Sequence, residues 1–267
     1  MLIIHPILKA MNDFRKLYFC DSWVVSRRRS KTQKMDPHAS PHSGDFRGFL
    51  LDRYQQQSKN LQGVKSLWND LNSQKELDWF EKWIISVLPL RARILDVGCG
   101  IGMYGKCFAE HNRTSGWEYY GLEMSDEVVK LCQQFYPEGS FICGDARKMN
   151  FENNTFDLVM LSGVLHCIPD AWAVALNECK RITKNLLMIS RIPLVEKESS
   201  FQYDLMVQRR KRKRVTQRML ALNRLEFESQ VMSAGLQILN KEISNEKIYI
   251  GAYPRKVLTY RYILKKG

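Results

Sequence analysis

Residues 94–105 read ILDVGCGIGMYG, which is a short apolar strand followed directly by a glycine-rich turn. Glycine adopts backbone conformations that other residues avoid, and it lets a ligand approach the main chain closely. The residues after the turn predict a helix, and the N-terminus of a helix favours an anionic group. The stretch therefore predicts a strand–turn–helix unit that binds a ligand.

Two cofactors fit these glycines. The spacing Gly98-x-Gly100-x-Gly102 suits S-adenosylmethionine, whereas Gly100-x-Gly102-x-x-Gly105 suits the pyrophosphate of a dinucleotide. The glycines alone leave both readings open, so other parts of the sequence must decide between them.

Short apolar strands alternate with helical patterns around this unit. We predict strands at 93–97, 118–122, 141–143, 156–162 and 186–190, and helices at 103–111, 127–135 and 171–181. A long polar stretch at 192–216 is followed by a predicted helix at 219–234 that Gly235 closes, and by two strands at 236–243 and 257–264. The alternation predicts an α/β fold with a doubly wound, mostly parallel, seven-stranded Rossmann-like sheet, a final antiparallel strand pair and an N-terminal helical extension.

Four motifs in this order resemble the class I S-adenosylmethionine-dependent methyltransferases, specifically their small-molecule, type 11-like group. Residues 95–102 are close to the first motif of that family, and Glu123 ends the second strand where the family has an acid that binds ribose. Gly144-Asp145-Ala146 matches its adenine-binding turn, and residues 156–170 match its fourth strand and the segment after it. The resemblance covers about residues 90–190 and favours S-adenosylmethionine, because a dinucleotide would leave Gly144 and Asp145 without a role.

The resemblance implies a set of cofactor-binding residues, and simple chemistry supports several of them. Glu123 stands one helix and one strand after the glycine turn, which returns it to the same sheet edge, and its carboxylate can accept hydrogen bonds from a ribose diol. Asp96 ends an apolar strand and needs a partner, which the ammonium group of the cofactor can supply. Cys99 is interpreted as a small filler of the turn rather than a nucleophile. The predicted set comprises Asp96, Gly98, Cys99, Gly100, Gly102, Glu123, Met124, Asp145, Ala146 and Ser162.

His166 is the candidate catalytic base. It follows the fourth predicted strand, at the carboxyl edge where open α/β sheets bind ligands. Imidazole accepts protons near neutral pH, which matters when the methyl acceptor is a hydroxyl. A wall of the site and a position remote from it are the alternative interpretations.

The net charge of +13 is unevenly distributed. Residues 91–200 carry 12 basic and 14 acidic side chains, whereas residues 201–267 carry 15 and 5. We predict a weakly ordered basic segment at 1–47, N-terminal helices at 48–90 and a methyltransferase domain at 91–267 with a basic cap at 192–216. The candidate substrate-binding residues in that cap are Arg209, Arg210 and Arg212. A solvated face, contacts with nucleic-acid phosphates and a nuclear-import signal are the alternatives for this basic run.

The predicted function is methyl transfer to oxygen, nitrogen or carbon of a small or lipid-linked, possibly anionic acceptor. A nucleic-acid methyltransferase is less favoured because the basic run lacks interleaved aromatic side chains for base stacking. A module that binds the cofactor without catalysis is a further alternative. We expect no metal site, because the seven cysteines lack zinc-ligand spacing, and no transmembrane segment. The expected location is the cytoplasm, with the nucleus or an organelle as alternatives.

Overall fold

The structure is a computed structural model that describes residues 42–43, 78–110, 112–197, 199–208, 214–249 and 256–267. A helical segment at 78–85, whose last part is the π-helix Glu81–Ile85, precedes the first long strand. The strands are β1 His42–Ser43, β2 Arg93–Val97, β3 Glu118–Glu123, β4 Ser140–Cys143, β5 Phe156–Ser162, β6 Thr183–Val195, β7 Phe201–Gln208, β8 Arg214–Asn223, β9 Leu236–Tyr249 and β10 Lys256–Lys266. The α-helices are α1 Met103–Glu110, α2 Asp126–Phe135, α3 Trp172–Ile182 and α4 Arg224–Ser233, and a 3-10 turn spans Leu165–Cys167.

The ten strands form one sheet, and seven of them form its main part in the order β4-β3-β2-β5-β6-β10-β9, with β8 joined to the end of β6. The first five are parallel, and β10 is antiparallel to both β6 and β9. The predicted mostly parallel α/β sheet with its final antiparallel pair is confirmed, whereas the predicted N-terminal helical extension lies mostly outside the described residues. The sheet order reverses between β2 and β5, and all five parallel strands end at the same edge, where ligands bind in such sheets.

The two faces of the sheet are covered by different helices. On one face, Phe108 of α1 and Trp79 of the N-terminal helix pack near Met160 of β5. On the other face, α3 and α4 bury Leu176 and Phe227 against the sheet. β5 is apolar toward both sides, which is why its sequence reads as a nearly continuous apolar run.

The segment after β6 differs from the sequence prediction. The polar stretch at 192–216 contains strand rather than loop, because β7 and β8 form an antiparallel hairpin in which Gln208 pairs with Arg214. The predicted helix at 219–234 begins only at Arg224, since residues 214–223 are part of β8. The apolar residues of β7 alternate along its sequence from Phe201 to Val207, and this strand signal was hidden by the charged residues around it.

Two further observations bear on the sequence predictions. Gly235, with φ of 74°, follows α4 and closes it as predicted. No helix within the described ranges is long and apolar enough to cross a membrane. The division into domains at residues 47 and 90 stays a prediction, because most of the chain before residue 78 lies outside the described residues.

Asn223 caps α4, and its removal gives a direct test of where this helix begins. Its side-chain oxygen accepts hydrogen bonds from the backbone N–H groups of Leu225 (2.9 Å) and Glu226 (3.1 Å). We expect Asn223→Ala to lower the free energy of unfolding by about 1 kcal/mol in urea denaturation. Asn223→Asp keeps the acceptor and should cost much less. Equal losses in both variants would contradict a capping role.

Candidate functional site

The glycine turn after β2 has a backbone that only glycine adopts readily. Gly98, Gly100 and Gly102 have φ angles of 72°, 55° and 70°. The N–H of Gly98 donates to the carbonyl of Leu122 at 2.7 Å, which ties the turn to the end of β3. A Cβ on Gly98 would lie 2.6 Å from Cγ2 of Val164, in the segment after β5. The turn is therefore held between the ends of two neighbouring strands, with no room for a side chain.

Glu123 ends β3 with a buried carboxylate that is oriented by the backbone. Its Oε1 accepts from the N–H groups of Met124 (2.8 Å) and Ser125 (3.3 Å), and its Oε2 accepts from the N–H of Gly100 (3.2 Å). Burial raises the pKa of this carboxyl, and the three backbone donors oppose the rise. Three donors use three of about four lone-pair positions, so Oε2 keeps one for a further donor.

Asp96 is a second buried acid, one residue before the end of β2. Only 2% of its surface is exposed, and its Oδ2 accepts from the Tyr119 hydroxyl at 2.8 Å. Burial raises the pKa of Asp96 to about 7; the Tyr119 hydrogen bond lowers it, and the charge of Glu123 raises it further. A carboxylate in this position is stabilised in its ionised form by any cationic group that binds beside it.

Asp145, in the turn after β4, has a partner that the sequence analysis did not foresee. Arg147 donates to both carboxylate oxygens through its guanidinium, at 2.6 to 3.0 Å, and through its backbone N–H at 2.8 Å. The hydrogen bonds from Arg147 lower the pKa of Asp145 despite partial burial. Asp145 thus stays ionised, and a ligand that contacts it must share the carboxylate with Arg147.

His166 lies on the 3-10 turn that follows β5. Its Nδ1 is buried and has no hydrogen-bond partner among the described residues. Burial lowers the pKa of this imidazole to about 4, so the ring is neutral at physiological pH. A neutral imidazole can accept a proton, but a pKa near 4 makes it a weak base at neutral pH. The role of His166 as a base stays a prediction.

Three hydroxyl groups meet where the carboxyl end of β5 pairs with Ser190 of β6. The Ser190 hydroxyl donates to Oγ of Ser162 at 3.0 Å, and the Tyr104 hydroxyl lies 3.3 Å from the same Oγ. Sequence reasoning named Ser162 but missed Tyr104 and Ser190. Tyr104 stands within the glycine-rich stretch itself, and Ser190 interrupts an apolar strand, so both carried a weak signal.

The remaining predicted residues have different positions. Cys99 is buried, and a Cβ on Gly121 would lie 2.7 Å from its Sγ, so the thiol fills space in the turn. The pKa of Cys99 is raised by its hydrogen bond with Cys132 and by burial, which disfavours a thiolate. Met124 is exposed after β3, and Ala146 is half-buried after β4. Arg209, Arg210 and Arg212 lie outside the described residues, and their role in substrate binding stays a prediction.

Comparison with known families finds a match for the part of the chain that contains this site. Residues 95–186 match the family model of a methyltransferase domain, and this range contains β2 to β5 and the site residues on them. The sheet order with its final antiparallel pair agrees with that assignment. This part of the chain is similar to methyltransferase domains, and the match covers about a third of the chain.

Two relatives of this part of the chain come from Bacillus. A putative methyltransferase, YqeM, of Bacillus subtilis is 32% identical over 103 residues, covering 38% of this chain and 40% of that protein. A demethylmenaquinone methyltransferase of Bacillus licheniformis is 29% identical over 125 residues, covering 44% of this chain and 53% of that protein. This chain thus spans about half or less of these relatives' length.

Solved structures share the fold with little sequence identity. A 1,6-didemethyltoxoflavin-N1-methyltransferase of Burkholderia thailandensis, solved with 1,6-didemethyltoxoflavin and S-adenosylhomocysteine bound, has a TM-score of 0.57 and 14% identity. The match covers 93% of this chain and 97% of that one. It supports the fold of the described residues.

The lowered pKa of His166 predicts a specific dependence of stability on pH. The unfolded chain binds a proton at this residue below its ordinary pKa of 6.5, whereas the folded chain does so only near 4. Stability is therefore fully present above pH 6.5 and falls as the pH drops toward 4. We expect His166→Asn to remove up to about 2 kcal/mol of the difference in unfolding free energy between pH 7.5 and pH 5. An unchanged difference in urea denaturation would mean that the imidazole is not held neutral.

Proposed function

We propose that this chain is an S-adenosylmethionine-dependent methyltransferase that transfers a methyl group to oxygen, nitrogen or carbon of a small or lipid-linked acceptor. The observation that carries the proposal is the buried pair of acids, Asp96 and Glu123, at the glycine turn of a methyltransferase domain. Burying two carboxylates within each other's electrostatic influence is unfavourable for folding. A bound ligand that carries an ammonium group and hydroxyl donors offsets that cost.

The donors and acceptors of the site fit S-adenosylmethionine. Asp96 would hold its ammonium group, and the free acceptor position on Glu123 would take a ribose hydroxyl. Asp145 and Ala146 would contact the adenine, with Met124 beside the ribose-binding acid, and Gly98, Gly100 and Gly102 would leave room for the main chain to approach the ligand. When bound, the cofactor supplies a methyl group on a positively charged sulfur.

The residues of the chain contribute mainly by positioning. Displacement at a sulfonium loses charge in the transition state, so holding the acceptor atom in line with the methyl group supplies much of the rate. If the acceptor is a hydroxyl, its proton must leave, and His166 after β5 is the candidate to take it, provided that the bound acceptor raises the lowered pKa of its imidazole.

The acceptor class rests on relatives and on sequence. Relatives include enzymes named for demethylmenaquinone and for phthiotriol and phenolphthiotriol dimycocerosates. Within the proposed function, the basic residues Arg209, Arg210 and Arg212 would favour an acceptor with negative charge.

The first test is calorimetric titration with S-adenosylhomocysteine, with NADH as the control ligand. Binding of NADH instead of S-adenosylhomocysteine would overturn the proposal.

Cofactor binding should depend on pH through Asp96. The raised pKa of about 7 means that the carboxyl must lose a proton to pair with an ammonium group below that pH. We expect the affinity for S-adenosylhomocysteine to fall by up to about tenfold per pH unit as the pH drops below 7. Asp96→Asn should bind more weakly and show a much flatter pH profile between 5.5 and 8. A wild-type affinity that does not change over this range would contradict the role of Asp96.

The second acid can be tested with a matched control on the same strand. We expect Glu123→Gln to weaken binding of S-adenosylhomocysteine by about tenfold or more, because a charged acceptor of the ribose is lost. Glu118, an exposed acid at the opposite end of β3, provides the control Glu118→Gln. Equal affinities of the two variants would remove Glu123 from the binding site.

A labelled-methyl assay against an acceptor panel then separates the alternatives. Transfer to small molecules or lipids supports the proposed function. Transfer only to RNA, with an affinity that drops steeply as salt rises, would indicate a nucleic-acid methyltransferase. Cofactor binding without transfer to any acceptor in the panel would favour a module that binds the cofactor without catalysis.

A further inference from the structure

β6 contains a bulge near the carboxyl edge of the sheet, where the site lies. Ile189 pairs with Tyr262 and Ile192 pairs with Tyr260, so two residues of β6, Ser190 and Arg191, oppose one residue of β10. Arg191 has φ of 55°, in the left-handed region that side chains other than glycine rarely adopt. Bulges of this kind redirect side chains and are frequent beside active sites.

The bulge changes which way the following side chains point. Before it, Leu187 and Ile189 pack in the apolar core that contains α3; after it, Ile192 and Leu194 pack in that same core. Side chains of a regular strand alternate between the two faces with a period of two. Residue 191, rather than residue 192, would therefore have followed Ile189 on the face that packs against this core. The extra residue therefore removes Arg191 from the apolar face and groups it with Ser190.

Ser190 belongs to the hydroxyl cluster with Ser162 and Tyr104, which brings Arg191 to that cluster too. Burial raises the pKa of the Tyr104 phenol, and the positive charge of Arg191 is the largest influence that lowers it, as expected for a guanidinium near the ring. His166 is on the turn after β5, and its Cε1 lies 3.9 Å from where a Cβ on Gly163, the residue after Ser162, would stand. Arg191 and three hydroxyls are thus grouped where β5 ends beside β6, and the imidazole follows on the next turn.

We propose that Arg191, assisted by the hydroxyls of Tyr104 and Ser162, binds an anionic oxygen group, a carboxylate or a phosphate, on the methyl acceptor. The inference rests on the proposed function and gives its acceptor a chemical class. Guanidinium pairs with carboxylate and phosphate through two parallel hydrogen bonds, and the hydroxyls can each donate one more. Glycine would adopt the positive φ angle of residue 191 without backbone strain. A role in anion binding explains why this position holds an arginine.

Arg191 is assigned to the acceptor rather than to the cofactor by its place on the sheet, and Ser162, which the sequence analysis grouped with the cofactor-binding residues, is assigned to the acceptor with it. The acids that fit the cofactor, Asp96 and Glu123, lie on β2 and β3, whereas Arg191 lies on β6, beyond β5. His166, the proposed base, is also on the β5 side. The anion of the acceptor would therefore be anchored on the same side as the group that takes its proton.

The test uses the full chain saturated with S-adenosylhomocysteine and two probe anions, inorganic phosphate and acetate. Binding is followed by line broadening of the phosphorus signal of phosphate and of the carbon signal of labelled acetate. We expect Arg191→Gln to weaken binding of the preferred anion by about tenfold, and Tyr104→Phe by about threefold. Lys184→Gln is the control, because it removes one positive charge from the exposed beginning of the same strand. It should bind the anions as the wild type does.

Two further results decide the assignment. Arg191→Gly relieves the left-handed backbone, so it should keep its melting temperature within a few degrees or raise it, yet lose the same anion binding. Anion binding that is equal in Arg191→Gln and Lys184→Gln, or absent in the wild type, would overturn the proposal. So would an anion that binds the wild type only without S-adenosylhomocysteine, since Arg191 would then hold the carboxylate of the cofactor. If S-adenosylhomocysteine itself fails to bind, the proposed function fails, and the anion titration of the free protein still tests Arg191.

Discussion

The hydrogen bonds between the Glu123 carboxylate and the backbone hold the cofactor side of the site together. They join the end of β3 to the glycine turn through Gly100 and to the start of α2 through Ser125. The turn can approach this carboxylate because its glycines adopt positive φ angles and leave no side chain in the way. The shape of the turn and the orientation of the acid therefore depend on each other.

The carboxyl edge of the sheet divides into two electrostatic halves. Around β2 and β3, burial raises the pKa values of Asp96 and Glu123, which prepares that half for a ligand with a cation and hydroxyl donors. Around β5 and β6, His166 is neutral and Arg191 supplies positive charge near the Tyr104 hydroxyl. A methyl donor with a positive sulfur and an acceptor with a negative group would thus be held on opposite sides of the reacting atoms.

The half of the carboxyl edge around β5 and β6 contains an irregular and strained stretch of backbone. The bulge in β6 interrupts its pairing with β10, and Arg191 occupies a left-handed conformation that would suit glycine better. The surrounding strands tolerate this because the apolar side chains on either side of the bulge are buried in one continuous core. Stability elsewhere in the sheet offsets the local strain at the site.

The glycine turn and the alternation of strands and helices were readable from the sequence, because short-range spacing and hydrophobic period determine them. The resemblance to a methyltransferase family pointed to Asp96 and Glu123 as cofactor-binding residues. The sequence also indicated His166 by its place after β5. The β7–β8 hairpin, the Arg147 partner of Asp145 and the grouping of Arg191 with Tyr104 were not readable. The hairpin arises from the pairing of β7 with β8, and the Asp145–Arg147 pair arises from competition among nearby side chains. The position of Arg191 arises from a one-residue shift in the register of β6 against β10. Each of these is decided only when tertiary packing brings the residues together.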